Sequence, residues 1–275
     1  KAIGKKVIGN KSASGTEIIA ELGNEHIKSG SPIVYTSADS VFQIASHVEI
    51  IPLNELYTIC QIARNMLVGE HNIQRVIARP FTGEAGSFVR TTDRKDFSVS
   101  PPSKTLLDNI TDNNGSVFAV GKIEDIFNSM GITEAVHTTS NKHGMQITID
   151  AIKSSNYTLI FTNLVDFDTL YGHRNDAIGY AKSLEEFDMM LPELMDSMNN
   201  NDMLVITADH GCDPSTPGTD HTREYVPLLI YGKNINQNIN LGIRSSFADL
   251  AKTLADILNI KNNLAGESFA EYIKS

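Results

Sequence analysis

The feature that most constrains this chain is a recurring unit in its second part, a short apolar run followed by a stretch with helical spacing. The apolar runs cover 117–120, 158–161, 203–206 and 226–231, and helical patterns occupy 123–130, 178–198 and 247–258. Such alternation predicts βα units, and therefore an α/β fold with a mostly parallel sheet and helices on both faces. Pro227 has no N–H to give to a ladder, so the last strand belongs at a sheet edge or begins at that proline. The first hundred residues read differently. Helical patterns at 17–22 and 53–67 are mixed with apolar runs at 33–35 and 76–78, which predicts a smaller α+β domain. A Ser-Val-Ser-Pro-Pro segment at 98–102 separates the two parts. The expected domains are thus 1–102 and 103–275.

Composition excludes several classes of function. With 41% hydrophobic residues in 275, the chain can bury real cores. Its formal net charge of −10 repels a phosphate backbone, so no nucleic-acid partner is expected. No apolar run approaches the roughly 18 residues that a membrane helix needs, and the N-terminus lacks a signal-peptide core, so no membrane partner is expected. Cys60 and Cys212 form no disulfide framework, which points to a reducing cytoplasm. The chain opens on Lys rather than Met, and a preceding segment is expected.

The chemistry gathers just beyond predicted strands. Asp168 and His173 follow the run at 158–161, Asp209 and His210 follow the run at 203–206, and His221 lies eleven residues further on in a Gly/Pro/Asp-rich loop. Open α/β sheets collect ligands at the carboxyl ends of their strands. Each of these residues taken singly reads as a cap or turn residue. Together, carboxylates and imidazoles form a donor set for Mn²⁺, Zn²⁺ or Fe²⁺, and five donors suggest two ions. Asp166, Asp213 and Asp220 lie close by and read first as turn residues, and Cys212 reads as a small residue packed beside the site. His26, His47, His71, His137 and His143 read as ordinary core or surface groups. Two adjacent metals suit phosphoryl or sulfuryl transfer. Arg75, Arg79, Arg90 and Arg94, flanking a glycine-containing segment at 82–87, suggest a site for a phosphate-bearing substrate.

On these residues the chain resembles the phosphopentomutases of the alkaline phosphatase superfamily. The resemblance rests on the segments at 7–19, 32–40, 75–81 and 119–123, on Asp166-Phe167-Asp168 through His173-Arg174, and on Ala208-Asp209-His210-Gly211-Cys212-Asp213 through Asp220-His221-Thr222. It implies an alkaline-phosphatase-like core with a smaller cap domain, and an isomerase that interconverts ribose 1-phosphate and ribose 5-phosphate, with their deoxy forms, through a phosphoenzyme. It implies two Mn²⁺ on Asp168, His173, Asp209, His210 and His221. It also implies sugar-phosphate contacts from Ser37, Asp39, Arg75, Ile77 and Arg90 of the cap and from Lys122 of the core. The family's phosphorylated threonine and one further aspartate ligand belong to an N-terminal core segment that has no counterpart here, so the expectation is that these 275 residues alone do not turn over. A metal-dependent phosphatase or phosphodiesterase of the same superfamily, or a non-catalytic binding fragment, remain the alternatives.

Overall fold

The computed structural model describes residues 2–37, 41–154 and 156–274, in two compact units divided after residue 100. In the first unit the elements run β1 (Ile8–Ser12), α1 (Gly15–Ser29), β2 (Ile33–Thr36), β3 (Val41–His47), α2 (Leu53–Met66), β4 (Arg75–Thr82), β5 (Val89–Arg90) and β6 (Lys95–Ser98). The strands form one mixed sheet in the order β1-β2-β3-β4-β5, with β6 also on β4. β1 and β2 are parallel, as are β3 and β4, while β2–β3, β4–β5 and β4–β6 are antiparallel.

Alternation along the strands gives the sheet two covered faces. Ile44, Val76 and Ala78 pack on Leu56, Ile59 and Cys60 of α2, and Ile33, Tyr35, Ala45 and Phe81 pack on Ile18 and Ile19 of α1. Fully buried side chains such as Leu56 and Phe81 each contribute about 1.5–3 kcal/mol of burial. α1 starts where the Ser14 hydroxyl accepts the Glu17 N–H and stops at Gly30, whose φ of 68° is left-handed.

The second unit contains α3 (Leu106–Asp112), β7 (Val117–Val120), α4 (Ile123–Phe127), β8 (Glu134–Val136), α5 (Asn141–Ser154), β9 (Leu159–Thr162), α6 (Ala177–Ser197), β10 (Met203–Thr207), β11 (Leu228–Gly232), α7 (Ala248–Ile257) and α8 (Ala270–Ile273). β8, β7 and β9 form a parallel sheet with β7 central. Helices α3 and α7 supply Leu106, Leu107, Ile110 and Ala255 to one core with Val117, and α5 packs on α6 through Met145, Ile149, Leu194 and Met198.

The strands of this α/β unit are not joined in one parallel sheet, because β10 and β11 form a separate two-stranded sheet. β11 runs antiparallel to β10, with Thr207 opposite Leu228. No helix intervenes between these two strands, so there is no crossover to bring the second back in the same direction. Pro227 precedes β11 by one residue, where its missing N–H costs no ladder bond. Among the described residues, no helix is long and apolar enough to cross a membrane.

Candidate metal centre and arginine face

The metal-ligand candidates of the second unit meet beyond the ends of β9 and β10. After β9 the chain makes a single π-helical turn, Phe167–Tyr171, that carries Asp168, and then a 3₁₀ turn, Gly172–Arg174, that carries His173. π-turns of this kind recur at functional sites. The turn is fixed from below by a reciprocal clamp. Asp166 Oδ2 accepts the Asn141 N–H at 2.6 Å, Asn141 Oδ1 accepts the Asp166 N–H at 2.9 Å, and the Asn141 amide donates to Ser183 Oγ at 3.3 Å. Asp166 therefore serves the first turn of α5.

β10 ends at Thr207, Ala208 and Asp209 lead on to His210, and an antiparallel bridge between Gly211 and Thr222 brings His221 back beside it. The two rings stack with centroids 3.7 Å apart, and His173 stacks on His221 at 4.8 Å. Asp168 Oδ1 lies 3.2 Å from the Nε2 atoms of both His173 and His221. Donor atoms of Asp168, His210 and His221 all fall within 4.8 Å of one another. Asp209 reaches His210 Nε2 at 3.7 Å, but its side chain is 66% exposed and lies outside that set.

The hydrogen-bond pattern tests whether these residues fit a cation. His210 Nδ1 lies 3.0 Å from the Gly211 carbonyl, and His173 Nδ1 makes a short contact with the Thr219 carbonyl. A carbonyl only accepts, so in both rings Nδ1 carries the proton, and in the neutral rings Nε2 presents a lone pair. For His173 that lone pair faces a carboxylate oxygen, two acceptors pointed at each other. A proton on Nε2 or a metal cation between them resolves the conflict, and imidazoles anchored through Nδ1 to backbone carbonyls are the usual arrangement of metal-binding histidines. The donor set fits a metal.

Neighbouring groups shape the site without joining it. Asp213 Oδ1 accepts from Ser215 N at 2.8 Å and Ser215 Oγ at 2.6 Å, bonds that hold its carboxyl below the usual range. Cys212 Sγ packs 3.7 Å from Asp168 Oδ1, and burial, reinforced by that carboxylate, pushes the thiol pKa up. A Cβ on Gly172 would stand 2.2 Å from this sulfur, so only glycine allows the approach. Sequence reasoning missed Asn141, Asn175 and Thr222. Asn175 Nδ2 holds the Thr216 carbonyl at 2.9 Å, and Thr222 Oγ1 accepts the Asp213 N–H at 2.7 Å and pairs with Glu224. Only the left-handed φ of Asn175, at 54°, matches a signal that an asparagine at a turn can give in advance.

Of the candidate substrate residues of the first unit, Arg75, Ile77 and Arg90 share one sheet face. Ser37 Oγ accepts from Gln43 Nε2 at 3.2 Å, whereas Asp39 lies outside the described residues. Arg94 forks onto Asp96 with bonds of 2.7 and 2.6 Å, and Arg75 Nη1 lies 3.5 Å from the same carboxylate. Ile77 is 2% exposed, paired across the ladders with Gln43 and Asp96. Arg90 is exposed on β5, its guanidinium lying over Gly15, where a Cβ would meet Nη2 at 2.2 Å and the Tyr35 hydroxyl at 2.5 Å. Burial raises the Tyr35 pKa, opposed by Arg79, Arg90 and Arg94. Lys122, in the second unit, is exposed just before α4. His26 and His47 are buried in the first unit, while His71, His137 and His143 are exposed.

Comparison with known proteins gives this geometry a family. Residues 103–262, more than half of the chain, match the profile of the Metalloenzyme superfamily. The phosphopentomutase of Clostridium novyi (strain NT) is 60% identical over 270 residues, covering 98% of this chain and 69% of that protein. That of Caldanaerobacter subterraneus subsp. tengcongensis is 60% identical over 269 residues, covering 98% and 68%, and that of Dictyoglomus thermophilum is 60% identical over 274, covering 100% and 70%. Identity at this level over nearly the whole chain makes it a member of the phosphopentomutase family of metalloenzymes.

Proposed function

We propose that the chain binds ribose 5-phosphate and ribose 1-phosphate, with their deoxy forms, and serves their interconversion in the cytoplasm through a phosphoenzyme. The reading is carried by the convergence of Asp168, His173, His210 and His221, whose imidazole nitrogens and carboxylate are the donor types that a divalent cation takes. In this reading Asp168, His173, Asp209, His210 and His221 hold two Mn²⁺. The ions supply charge neutralisation for a phosphoryl group and polarise a hydroxyl. Ser37, Asp39, Arg75, Ile77 and Arg90 of the first unit and Lys122 of the second bind and orient the sugar phosphate, the arginine forks donating hydrogen bonds to its phosphate oxygens. The residue that carries the phosphoryl group is not assigned to any of these 275.

Titration of ribose 5-phosphate into the protein, with and without Mn²⁺, tests this reading. Saturable binding that strengthens with Mn²⁺ is expected. Absence of binding in both conditions would refute the proposal. In any turnover, transfer of labelled phosphoryl to a sugar hydroxyl supports a mutase, and transfer to water favours a phosphatase.

A further inference from the structure

The sheet face that bears Arg75, Ile77 and Arg79 of β4 also bears Gln43 of β3, because the two strands pair in parallel with Gln43 opposite Ile77. Gln43 is opposite Tyr35 of β2 on its other side. It is 4% exposed, and a buried carboxamide must find partners for both of its ends. Its Nε2 donates to Ser37 Oγ at 3.2 Å, and its Oε1 accepts from Arg79 Nε at 3.0 Å. One buried side chain thus ties Ser37, just past the end of β2, to Arg79 of β4.

Arg79 is an unusual arginine for such a place. Burial lowers its pKa, Arg94 and Arg90 push in the same direction, and only Tyr35 and Asp96 oppose them. Among the described residues no carboxylate lies within ion-pairing distance of it, since Asp96 is taken by Arg94 and Arg75. A half-buried guanidinium, held at its Nε by Gln43, set against the Tyr35 hydroxyl and crowded by like charge, has its positive charge unbalanced by any of these partners and suits an anion.

We infer that Gln43 is a positioning residue for the sugar-phosphate site, and that Arg79, which it holds, is a further phosphate contact beside Ser37. The inference rests on the phosphopentomutase reading and extends it to two residues that are not among the substrate contacts the family resemblance implies. Gln43 acts through its neighbours. Without it, Ser37 and Arg79 can turn to water, so the fold loses little while the anion site loses its shape.

The test is calorimetric titration of ribose 5-phosphate, and separately of inorganic phosphate, in the presence of Mn²⁺. The proteins are the unaltered chain, Gln43→Met, Arg79→Ala and the double variant. Methionine keeps the volume of Gln43 and removes both hydrogen bonds. Gln43→Met and Arg79→Ala are each expected to weaken binding about tenfold or more, as loss of a charge-assisted contact does. The double variant should lose less than the sum of the two single losses, because the part of the Gln43 effect that runs through Arg79 is already gone. Binding by Gln43→Met equal to that of the unaltered chain, or additive losses in the double variant, would overturn the positioning role. Should Gln43→Met fail to fold, unchanged binding by Arg79→Ala overturns the inference by itself. Failure of the unaltered chain to bind either ligand removes the phosphopentomutase reading, and this inference with it.

Discussion

Asp166 stands two residues before Asp168, and its role separates a ligand from a scaffold. Its carboxylate receives the Asn141 N–H at 2.6 Å at the first residue of the fourteen-residue helix α5. Replacing Asp166 by Ala removes a charge-assisted hydrogen bond, about 1.5–3 kcal/mol, and a favourable charge at a helix N-terminus, about 0.3–1 kcal/mol. The backbone N–H of residue 166 still reaches Asn141 Oδ1 in the variant, so nothing further is lost. A destabilisation of about 2–4 kcal/mol lowers the melting temperature of a unit of this size by roughly 4–16 °C. Mn²⁺ affinity should fall by at most about tenfold, the low end of an outer-shell loss, whereas Asp168→Ala should exceed the roughly hundredfold upper end of that range. Calorimetric melting and Mn²⁺ titration of both variants measure the contrast. If Asp166→Ala melts like the unaltered chain yet loses Mn²⁺ as Asp168→Ala does, Asp166 is a ligand and the clamp reading is wrong.

Three further outcomes follow from the same geometry. His210→Ala should weaken Mn²⁺ uptake, and unchanged metal content by elemental analysis would count against the assigned site. His26 donates from Nδ1 to the Ser31 carbonyl and accepts the His47 N–H at Nε2, and burial lowers its pKa. The unfolded chain therefore binds this proton more readily, so His26 contributes stability above about pH 6.5 that is lost as pH falls through its lower folded value. Urea midpoints of the first unit should fall with pH in that window, and a His26→Gln variant should lose this dependence. A flat profile in the unaltered chain contradicts the assignment. Burial pushes the Cys60 thiol up to about 12, so a thiol reagent at pH 8 should leave it unlabelled until the protein unfolds, as mass spectrometry of peptides would show.

How far the sequence carried this account depends on which signals are local. The apolar run at 117–120 coincides with β7 and the helical spacing at 178–198 with α6 to within one residue, because apolar periodicity reports burial directly. Strand β3 escaped notice because its buried residues include Gln43, Ser46 and His47, polar groups whose burial depends on partners elsewhere in the chain. β8 has three residues, too few to show alternation, and α5 opens on Asn-Lys-His-Gly, which reads as a turn. The residues around the metal site were legible as donors following strands. Their convergence was not, since it depends on the Gly211–Thr222 bridge that folds His221 onto His210 and on the Asn141 clamp beneath Asp168. Gln43 gave no signal at all, because a lone glutamine acquires its meaning only between Ser37 and Arg79.

The central claim is that Asp168, His173, Asp209, His210 and His221 hold two Mn²⁺ ions. Anomalous diffraction at the manganese edge from crystals grown with Mn²⁺ tests it most directly. Two peaks within ligand distance of these side chains, one of them against Asp168 and His221, is the predicted result. Peaks confined to other residues, or none at saturating Mn²⁺, would contradict it.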